Sequence, residues 1–195
     1  MMEFQQRYPK RFFDVGIAEE HAVTMAAGLA SAGMRPFVAI YSTFLQRSYD
    51  QILNDVCRCQ LPVTFLLDHA GFVGADGKTH QGLYDLSYLR AIPNLIIAAP
   101  RSCRDLLRMI DLSLECGKPM AIRYPKDALE AQDAPEQGAR FAIGEWETLF
   151  EGGDVVFFAE GPMVQLAVQC ALALNGRGVG AGVVDARFIK PMDEA

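Results

Sequence analysis

From residue 12 onward, short runs of β-branched and aromatic residues alternate with longer stretches whose apolar residues recur at helical spacing. The short runs predict strands at residues 12–15, 36–41, 63–68, 95–98 and 120–124. The longer stretches predict helices at residues 19–32, 43–59 and 102–116. Gly33 and Gly117 stand where glycine commonly ends a helix. This alternation predicts an α/β fold with a mostly parallel sheet flanked by helices.

The pattern stops and then restarts late in the chain. Residues 126–140 are polar, contain Pro and Gly and lack periodicity, so they predict a linker between a domain at residues 1–125 and a second α/β domain at 141–195. In the second domain we expect a strand at 154–159, a helix at 163–175 and a strand at 179–185. One such unit cannot cover both faces of a parallel sheet. We therefore expect both domains to be truncated, the first at its start and the second at its end.

Composition and charge narrow the class of protein. The 195 residues are 51% hydrophobic and carry a formal charge of -6, with no run of Lys or Arg. The chain therefore has enough apolar residues for a sizeable core. It has no basic stretch of the kind that binds nucleic acid or an anionic membrane. No signal peptide or apolar run of about 18 residues is found, so we expect a cytoplasmic protein that binds small molecules. The odd number of cysteines, five, predicts reduced and packed thiols.

Polar residues gather where the predicted strands end. Residues 68–85, DHAGFVGADGKTHQGLYD, form the longest stretch without a regular period, and ligands in open parallel sheets bind beyond the carboxyl ends of strands. Asp76 and His80 lie four residues apart in it, and histidine exchanges protons readily near neutral pH. An ordinary glycine-rich surface turn is the alternative. The spacing fits neither a phosphate-binding loop nor a metal site, so we expect no metal ligands here.

Two further stretches combine charged and apolar residues. Residues 14–23, DVGIAEEHAV, place Glu19 and Glu20 at a predicted helix start, where the helix macrodipole favours negative charge. Residues 39–50, AIYSTFLQRSYD, place Tyr41 and Phe44 at the junction of a strand and a helix. Aromatic core is the usual interpretation of these two residues, whereas Arg47 could clamp a phosphate group.

Taken in order and spacing, three segments resemble one family. FDVGIAEEHAVTMAAGLA, FVAIYSTFLQRSYDQILNDV and DHAGFVGADGKTHQGLYDLSYLRAIPNL are similar to the pyrimidine-binding domain of 1-deoxy-D-xylulose-5-phosphate synthases. These are thiamine-diphosphate enzymes of the transketolase group. The resemblance continues more weakly to DARFIKPMDEA. It implies a partial chain, consisting of the pyrimidine-binding domain and the start of the C-terminal domain.

The resemblance implies a role for each matching residue. Glu19 would bind N1′ of the aminopyrimidine and so promote deprotonation of the thiazolium C2, and Ile17 and the ring of Phe44 would enclose the cofactor. The substrates would be pyruvate and D-glyceraldehyde 3-phosphate, which condense with loss of carbon dioxide to feed isoprenoid, thiamine and pyridoxal synthesis. Residues that would face these substrates are Tyr41, Arg47, His69, Asp76, His80 and Lys126, with His80 also catalytic.

The chain departs from the family pattern in two places. His69 and Lys126 stand where the family usually has arginines that help Arg47 to bind the acceptor's phosphate. Neither replacement offers a bidentate guanidinium fork. The acceptor's affinity and identity are therefore open.

The family's GDG motif, which carries the diphosphate and Mg²⁺ in a separate N-terminal domain, does not occur in this sequence. We therefore expect a chain that is inactive alone and that requires another domain before it can use thiamine diphosphate and Mg²⁺. We also expect a homodimer or a complex with a diphosphate-binding domain. The alternatives are a non-catalytic remnant or assembly module, and a part of another transketolase-type enzyme.

Overall fold

The structure is a computed structural model that describes residues 2–126 and 142–194. Its α-helices are α1 (Met2–Arg7), α2 (Glu19–Ser31), α3 (Ser42–Leu45), α4 (Tyr49–Gln51), α5 (Asp85–Leu89), α6 (Cys103–Cys116) and α7 (Met163–Asn175). Its strands are β1 (Phe37–Tyr41), β2 (Thr64–Asp68), β3 (Ile96–Ala98), β4 (Met120–Arg123), β5 (Glu147–Phe150), β6 (Val155–Ala159), β7 (Ala181–Asp185) and β8 (Phe188–Lys190). The α/β class that the pattern predicts is confirmed.

The larger sheet has the order β1-β2-β4-β3-β8, and its first four strands are parallel. Tyr41 at the end of β1 pairs with Asp68 at the end of β2, and Leu67 pairs with Arg123 at the end of β4. The carboxyl ends of these three strands therefore meet along one edge. That edge is where a ligand is expected in an open parallel sheet.

Helix α2 covers one face of this sheet. Its buried residues recur every three to four positions, as on one face of an amphipathic helix, and are Glu19, Val23, Ala26, Ala27 and Ala30. The small alanine side chains allow α2 to approach β1 and the 52–57 segment closely. The result is a continuous core in which Leu45, Phe65 and Ile97 are fully buried.

Helix α6 covers the other part of the sheet and begins and ends as the sequence predicts. The Ser102 hydroxyl accepts a hydrogen bond from the Asp105 backbone N–H at 3.2 Å, which is a typical N-cap. Gly117 ends the helix in the left-handed conformation with φ 63°. Met109 of α6 packs against Ile96 and Met120 of the sheet.

Two of the predicted elements are wrong. Residues 12–15 form no strand, because the chain there has no neighbouring strand to pair with, and Phe13 is exposed. The predicted helix at 43–59 is instead a succession of short turns: α3, a 3-10 turn at Gln46–Ser48, α4 and a π-helix at Ile52–Cys57. Such irregular turns re-aim side chains and are frequent at functional sites. The succession of turns begins at Ser42, directly after β1, and its 3-10 turn contains Arg47.

The second sheet has the order β5-β7-β6, with α7 packed on one face. The sequence missed β5, which pairs antiparallel with β7. It also missed β8, which leaves the second unit and pairs antiparallel with β3 of the larger sheet. Both strands are too short and too mixed in polarity to be predicted from local pattern. Residues 127–140 of the predicted linker lie outside the described residues.

Charged side chains join the two sheets. Arg101, which follows β3, lies 3.0 Å from a Glu147 carboxylate oxygen in β5 and 3.2 Å from one of Asp185 in β7. Trp146 Nε1 donates a hydrogen bond to the Phe188 carbonyl oxygen at 2.8 Å. The second unit is thus held against the first by polar contacts as well as by β8.

The described helices and cysteines bear on two further expectations. In residues 2–126 and 142–194, no helix combines the length and apolar character that a membrane crossing requires. All five cysteines are free thiols. Cys57 is buried as predicted, whereas the prediction is wrong for Cys59, Cys103 and Cys170, which face outward.

Candidate functional site

A cleft lies at the edge where β1, β2 and β4 end. Tyr41 closes β1, His69 directly follows β2, and Lys126 lies three residues beyond β4. The 68–85 loop crosses this edge. The 39–50 and 68–85 segments therefore meet at this edge, because parallel strands bring their carboxyl ends together. The 14–23 segment reaches it through the hydrogen bond between Arg47 and Glu19.

Glu19 is the first residue of α2 and is only 8% exposed. Arg47, which lies in the 3-10 turn after α3, donates a hydrogen bond from Nη1 to Glu19 Oε1 at 2.8 Å. The Glu19 carboxyl group therefore lies at the N-terminus of α2 and against a guanidinium group. The Arg47 side chain itself is 51% exposed, so further donors of its guanidinium remain accessible.

A pocket of about 390 Å³ opens beside Glu19. Apart from Glu19, Arg47 and Gly16, its wall is apolar and is formed by Val15, Ile17, Ala18, Ala22, Val38, Ala39, Ile40 and Phe44. Ile17 lines the pocket and is 94% exposed, so its side chain lies at the open side of the pocket. The pocket offers a flat apolar ligand one carboxylate and one guanidinium.

Aromatic rings form a second wall. Tyr41 is stacked on His69 with centroids 3.6 Å apart and on Phe44 with centroids 5.6 Å apart. The His80 ring meets Phe44 edge-on at 5.4 Å, and its Nδ1 lies 3.1 Å from the Thr79 hydroxyl. Arg47 lies over the Phe44 ring at 5.6 Å. Phe44 therefore contacts Tyr41 and Arg47 of its own segment and His80 of the 68–85 loop.

Asp76 is the centre of an ionic cluster on the substrate side. Lys126 Nζ donates to both carboxylate oxygens of Asp76, at 2.6 and 2.7 Å. His69 Nε2 lies 3.1 Å from Asp76 Oδ2, and its Nδ1 lies 3.0 Å from Asp68 Oδ1. The hydrogen bonds from Lys126 lower the pKa of Asp76 below its usual 3.8, and the same contact raises the pKa of Lys126. Asp76 is thus an ionised carboxylate at neutral pH.

The loop that carries Asp76 and His80 is closed by a small antiparallel bridge. Gly71 and Gly82 exchange two backbone hydrogen bonds, each 2.8 Å long. Gly82 has no room for a side chain, since a Cβ there would lie 2.1 Å from the His69 carbonyl oxygen and 2.8 Å from Ser42 Oγ. Within the loop, Gln81 accepts a hydrogen bond from the Val73 N–H and donates one to the Gly77 carbonyl oxygen. The close packing of this loop against His69 and Ser42 therefore requires glycine at residue 82.

Some residues of the site were not singled out in the sequence. Behind the cleft, Arg123 bonds Asp85 at 2.9 Å and Glu160 at 2.6 Å, and Asp85 is 1% exposed. This buried pair fixes the start of α5 beneath the loop. A charged residue at the end of an otherwise apolar strand is the signal that could have identified Arg123. Among the described residues, no cluster of three or more His, Cys, Asp or Glu could hold a metal ion.

Two family models match the sequence. The model described as "Transketolase, pyrimidine binding domain" matches residues 1–132, and that described as "Transketolase, C-terminal domain" matches residues 144–195.

Curated relatives are similar along the whole chain. The 1-deoxy-D-xylulose-5-phosphate synthase of Pelotomaculum thermopropionicum is 53% identical over 194 residues, covering 100% of this chain and 30% of its own length. The enzyme of the same name from Aquifex aeolicus is 52% identical over 195 residues, covering 100% of this chain and 31% of its own length. The chain thus spans about a third of the curated relatives that it matches.

Solved structures show the same fold. A split gene transketolase, described as an inactive beta4 tetramer, has a TM-score of 0.86 and 32% identity, covering 98% of this chain and 62% of that chain. Transketolase from Campylobacter jejuni has a TM-score of 0.82 at 24% identity, covering 91% of this chain and 28% of that chain, and supports the fold alone.

Proposed function

Because the chain belongs to the transketolase family through its pyrimidine-binding domain, we propose that it forms part of a 1-deoxy-D-xylulose-5-phosphate synthase. In this proposal it supplies the pyrimidine side of a thiamine-diphosphate site and the loop that faces the substrates. The identity of 50% or more to relatives of that name supports the choice of this enzyme over other transketolases. Residues 1–125 and 141–195 are the proposed domains.

The observation that carries the proposal is a carboxylate at the rim of an apolar pocket. An aminopyrimidine is a flat ring with apolar faces and a weakly basic nitrogen, so it fits a wall of Val38, Ile40 and Phe44 that ends at Glu19. Glu19 is mostly buried and is held in place by Arg47. The residues present therefore fit the pyrimidine half of the cofactor, and Glu19, Phe44 and Ile17 are the proposed contacts.

When bound, thiamine diphosphate supplies a nucleophilic carbon and an electron sink for decarboxylation. Glu19 would share a proton with the ring nitrogen, since its carboxyl group lines the pocket that would hold the ring. Arg47 orients the Glu19 carboxyl group through the 2.8 Å hydrogen bond.

The substrate side is proposed to bind pyruvate and D-glyceraldehyde 3-phosphate. His80 lies within reach of protons on a substrate placed against Phe44 and is the proposed acid–base residue. Tyr41, His69, Asp76 and Lys126 form the adjoining wall. Arg47 keeps donors free for an anionic substrate group while it is bonded to Glu19.

The diphosphate and Mg²⁺ are proposed to bind on another chain or domain, so that this chain is catalytic only in a complex. A homodimer is the proposed minimal assembly, and the cytoplasm is its proposed location. A second candidate function is an inactive assembly without turnover. It is supported by the solved relative, which is described as a split gene transketolase in an inactive tetramer.

Titration calorimetry of thiamine diphosphate with Mg²⁺ tests the proposal. The chain is titrated alone and then mixed with a diphosphate-binding domain from the same source, and pyruvate decarboxylation is followed in parallel. We expect binding and decarboxylation only in the mixture.

Each other outcome has a distinct meaning. Formation of the complex without cofactor binding would support the inactive assembly. Tight binding to the chain alone would contradict the proposed division of the site. Thiamine diphosphate binding followed by turnover of a different donor would contradict the assignment to this synthase.

A further inference from the structure

Glu160 connects the second unit to the larger sheet. It directly follows β6, and its Oε1 accepts a hydrogen bond from Arg123 Nη1 at 2.6 Å. Arg123 is the last residue of β4, so this contact joins the two sheets. The Glu160 side chain is 33% exposed and that of Arg123 only 9%, so the contact lies at the border of a buried region.

The Arg123 guanidinium also binds the start of α5. Its Nε and Nη2 donate to the two carboxylate oxygens of Asp85, at 2.9 and 3.4 Å, while Nη1 donates to Glu160. Because a guanidinium group is planar and rigid, the position of Glu160 influences how the other donors meet Asp85. Asp85 also accepts a hydrogen bond from the Leu86 N–H at 2.8 Å, so it fixes the first turn of α5.

Tyr88 of α5 binds the segment that carries Phe44. Its hydroxyl donates a hydrogen bond to the Ser42 carbonyl oxygen at 3.1 Å, and Ser42 begins α3 and is fully buried. Burial and the Asp85 carboxylate raise the pKa of Tyr88, so the hydroxyl keeps the proton that it donates. Phe44 follows two residues after Ser42 and lines the pocket. A series of polar contacts and one helical turn therefore connects Glu160 to the pocket wall.

We propose that Glu160 is a positioning residue that acts through Arg123 and α5 to hold Phe44 in place for an aminopyrimidine ring. This inference rests on the proposed function of the pocket and extends it to the second unit, whose described residues do not line the pocket. Stacking depends on the distance and angle between two rings, so a shift of Phe44 weakens the binding of a flat ligand. Glu160 acts on cofactor binding through other residues and does not touch the cofactor itself.

Amide chemical shifts of the chain alone test this series of contacts without any cofactor. Glu160→Gln keeps the size of the side chain but replaces a charge-assisted hydrogen bond by a weaker neutral one. We expect the signals of residues 85–89 and of residues 42–45 to shift. When E160Q is added to Tyr88→Phe, which lacks the hydroxyl, residues 85–89 should still shift and residues 42–45 should not. Glu151→Gln, at an exposed residue of the second unit, is the matched control and should leave both segments unchanged.

Calorimetry of the completed complex measures the effect on the cofactor. E160Q and Y88F should each weaken thiamine diphosphate binding by about 2- to 30-fold, the range for substitutions along a network of contacts, with a smaller effect on kcat.

Three results would overturn the proposal. In the first, E160Q lowers the free energy of unfolding but leaves residues 42–45 unshifted, so that Glu160 only attaches the second unit. In the second, E160Q still shifts residues 42–45 when Tyr88 is replaced by Phe. In the third, the E160Q complex binds the cofactor as tightly as the natural one. If the natural complex binds no cofactor, the proposed function fails, while the shifts in the chain alone still decide whether Glu160 positions Phe44.

Discussion

Arg47 Nη1 lies 2.8 Å from Glu19 Oε1, although 28 residues separate them in the chain. The contact joins the first residue of α2 to the turn that follows α3. It places a charged pair at the rim of an otherwise apolar pocket. The chemistry proposed for the chain depends on this pair, because Glu19 is the carboxylate that faces the pocket.

Glu19→Gln should leave cofactor binding largely intact in the completed complex and slow hydrogen exchange at the thiazolium carbon. Since a glutamine cannot share the proton, we expect a decrease of about 10²- to 10⁴-fold, the usual contribution of a positioned acid or base. Exchange is measured by NMR after quenching in acid. Glu20→Gln, at the exposed neighbouring residue, is the matched control and should exchange at the normal rate. Unchanged exchange in E19Q would contradict the proposed role of Glu19 in proton sharing.

Lys126→Met should raise the pKa of Asp76 back toward 3.8. The hydrogen bonds from Lys126 lower the pKa of this carboxyl group. The stabilisation that the pair gives is therefore fully present above about pH 4, and it is lost as the pH falls through the lowered pKa. A carboxyl-detected NMR titration of both proteins measures the shift. Lys78→Met, at an exposed lysine of the same loop, is the control and should leave the pKa of Asp76 unchanged.

Gly82→Ala should destabilise the chain, because the added Cβ would meet the His69 carbonyl oxygen at 2.1 Å. We expect the free energy of unfolding to fall by about 1–3 kcal/mol, the usual cost of overpacking. Gly28→Ala in α2 meets no atom within 4 Å and should stabilise the chain by about 0.5–1 kcal/mol through its better helix propensity. Urea denaturation of both variants measures these opposite signs. A neutral G82A would contradict the close packing of the loop.

Arg123→Met should destabilise the chain strongly. It leaves Asp85 buried without the guanidinium at 2.9 Å, and removal of one partner of a buried pair costs about 3–5 kcal/mol. The double variant R123M/D85N should recover part of this loss, since no buried charge is then left unpaired. Asp50→Ala, which breaks an exposed hydrogen bond to Asn54, should cost less than about 0.5 kcal/mol. Denaturant midpoints distinguish these cases.

Cys57 should resist alkylation in the native chain. Burial raises the pKa of its thiol to about 12, so the reactive thiolate is scarce at pH 8. The exposed Cys59, two residues away, is the internal control and should react with iodoacetamide readily. Peptide mass spectrometry before and after unfolding measures both sites. Equal modification of Cys57 and Cys59 in the native chain would contradict the burial of Cys57.

The sequence by itself determined the fold class and the place of the cleft. Local pattern suffices for β1, β2, β4 and α6, because each has the period or the capping residues of its element. The predicted strand ends and the glycine-rich loop at residues 68–85 then predict that a ligand binds at the carboxyl edge of the sheet. The resemblance added the roles proposed for Glu19, Phe44 and His80, which local pattern could not supply.

Only the tertiary structure decided which charges meet. Arg47 with Glu19, Lys126 with Asp76, and Arg123 with Asp85 are pairs from distant segments, separated by 28, 50 and 38 residues. Spacing along the chain carries no information on such partners, since their distance depends on how strands and loops pack. The same reason explains why the short strand β8 was missed: its stability comes from β3, which pairs with it across the fold.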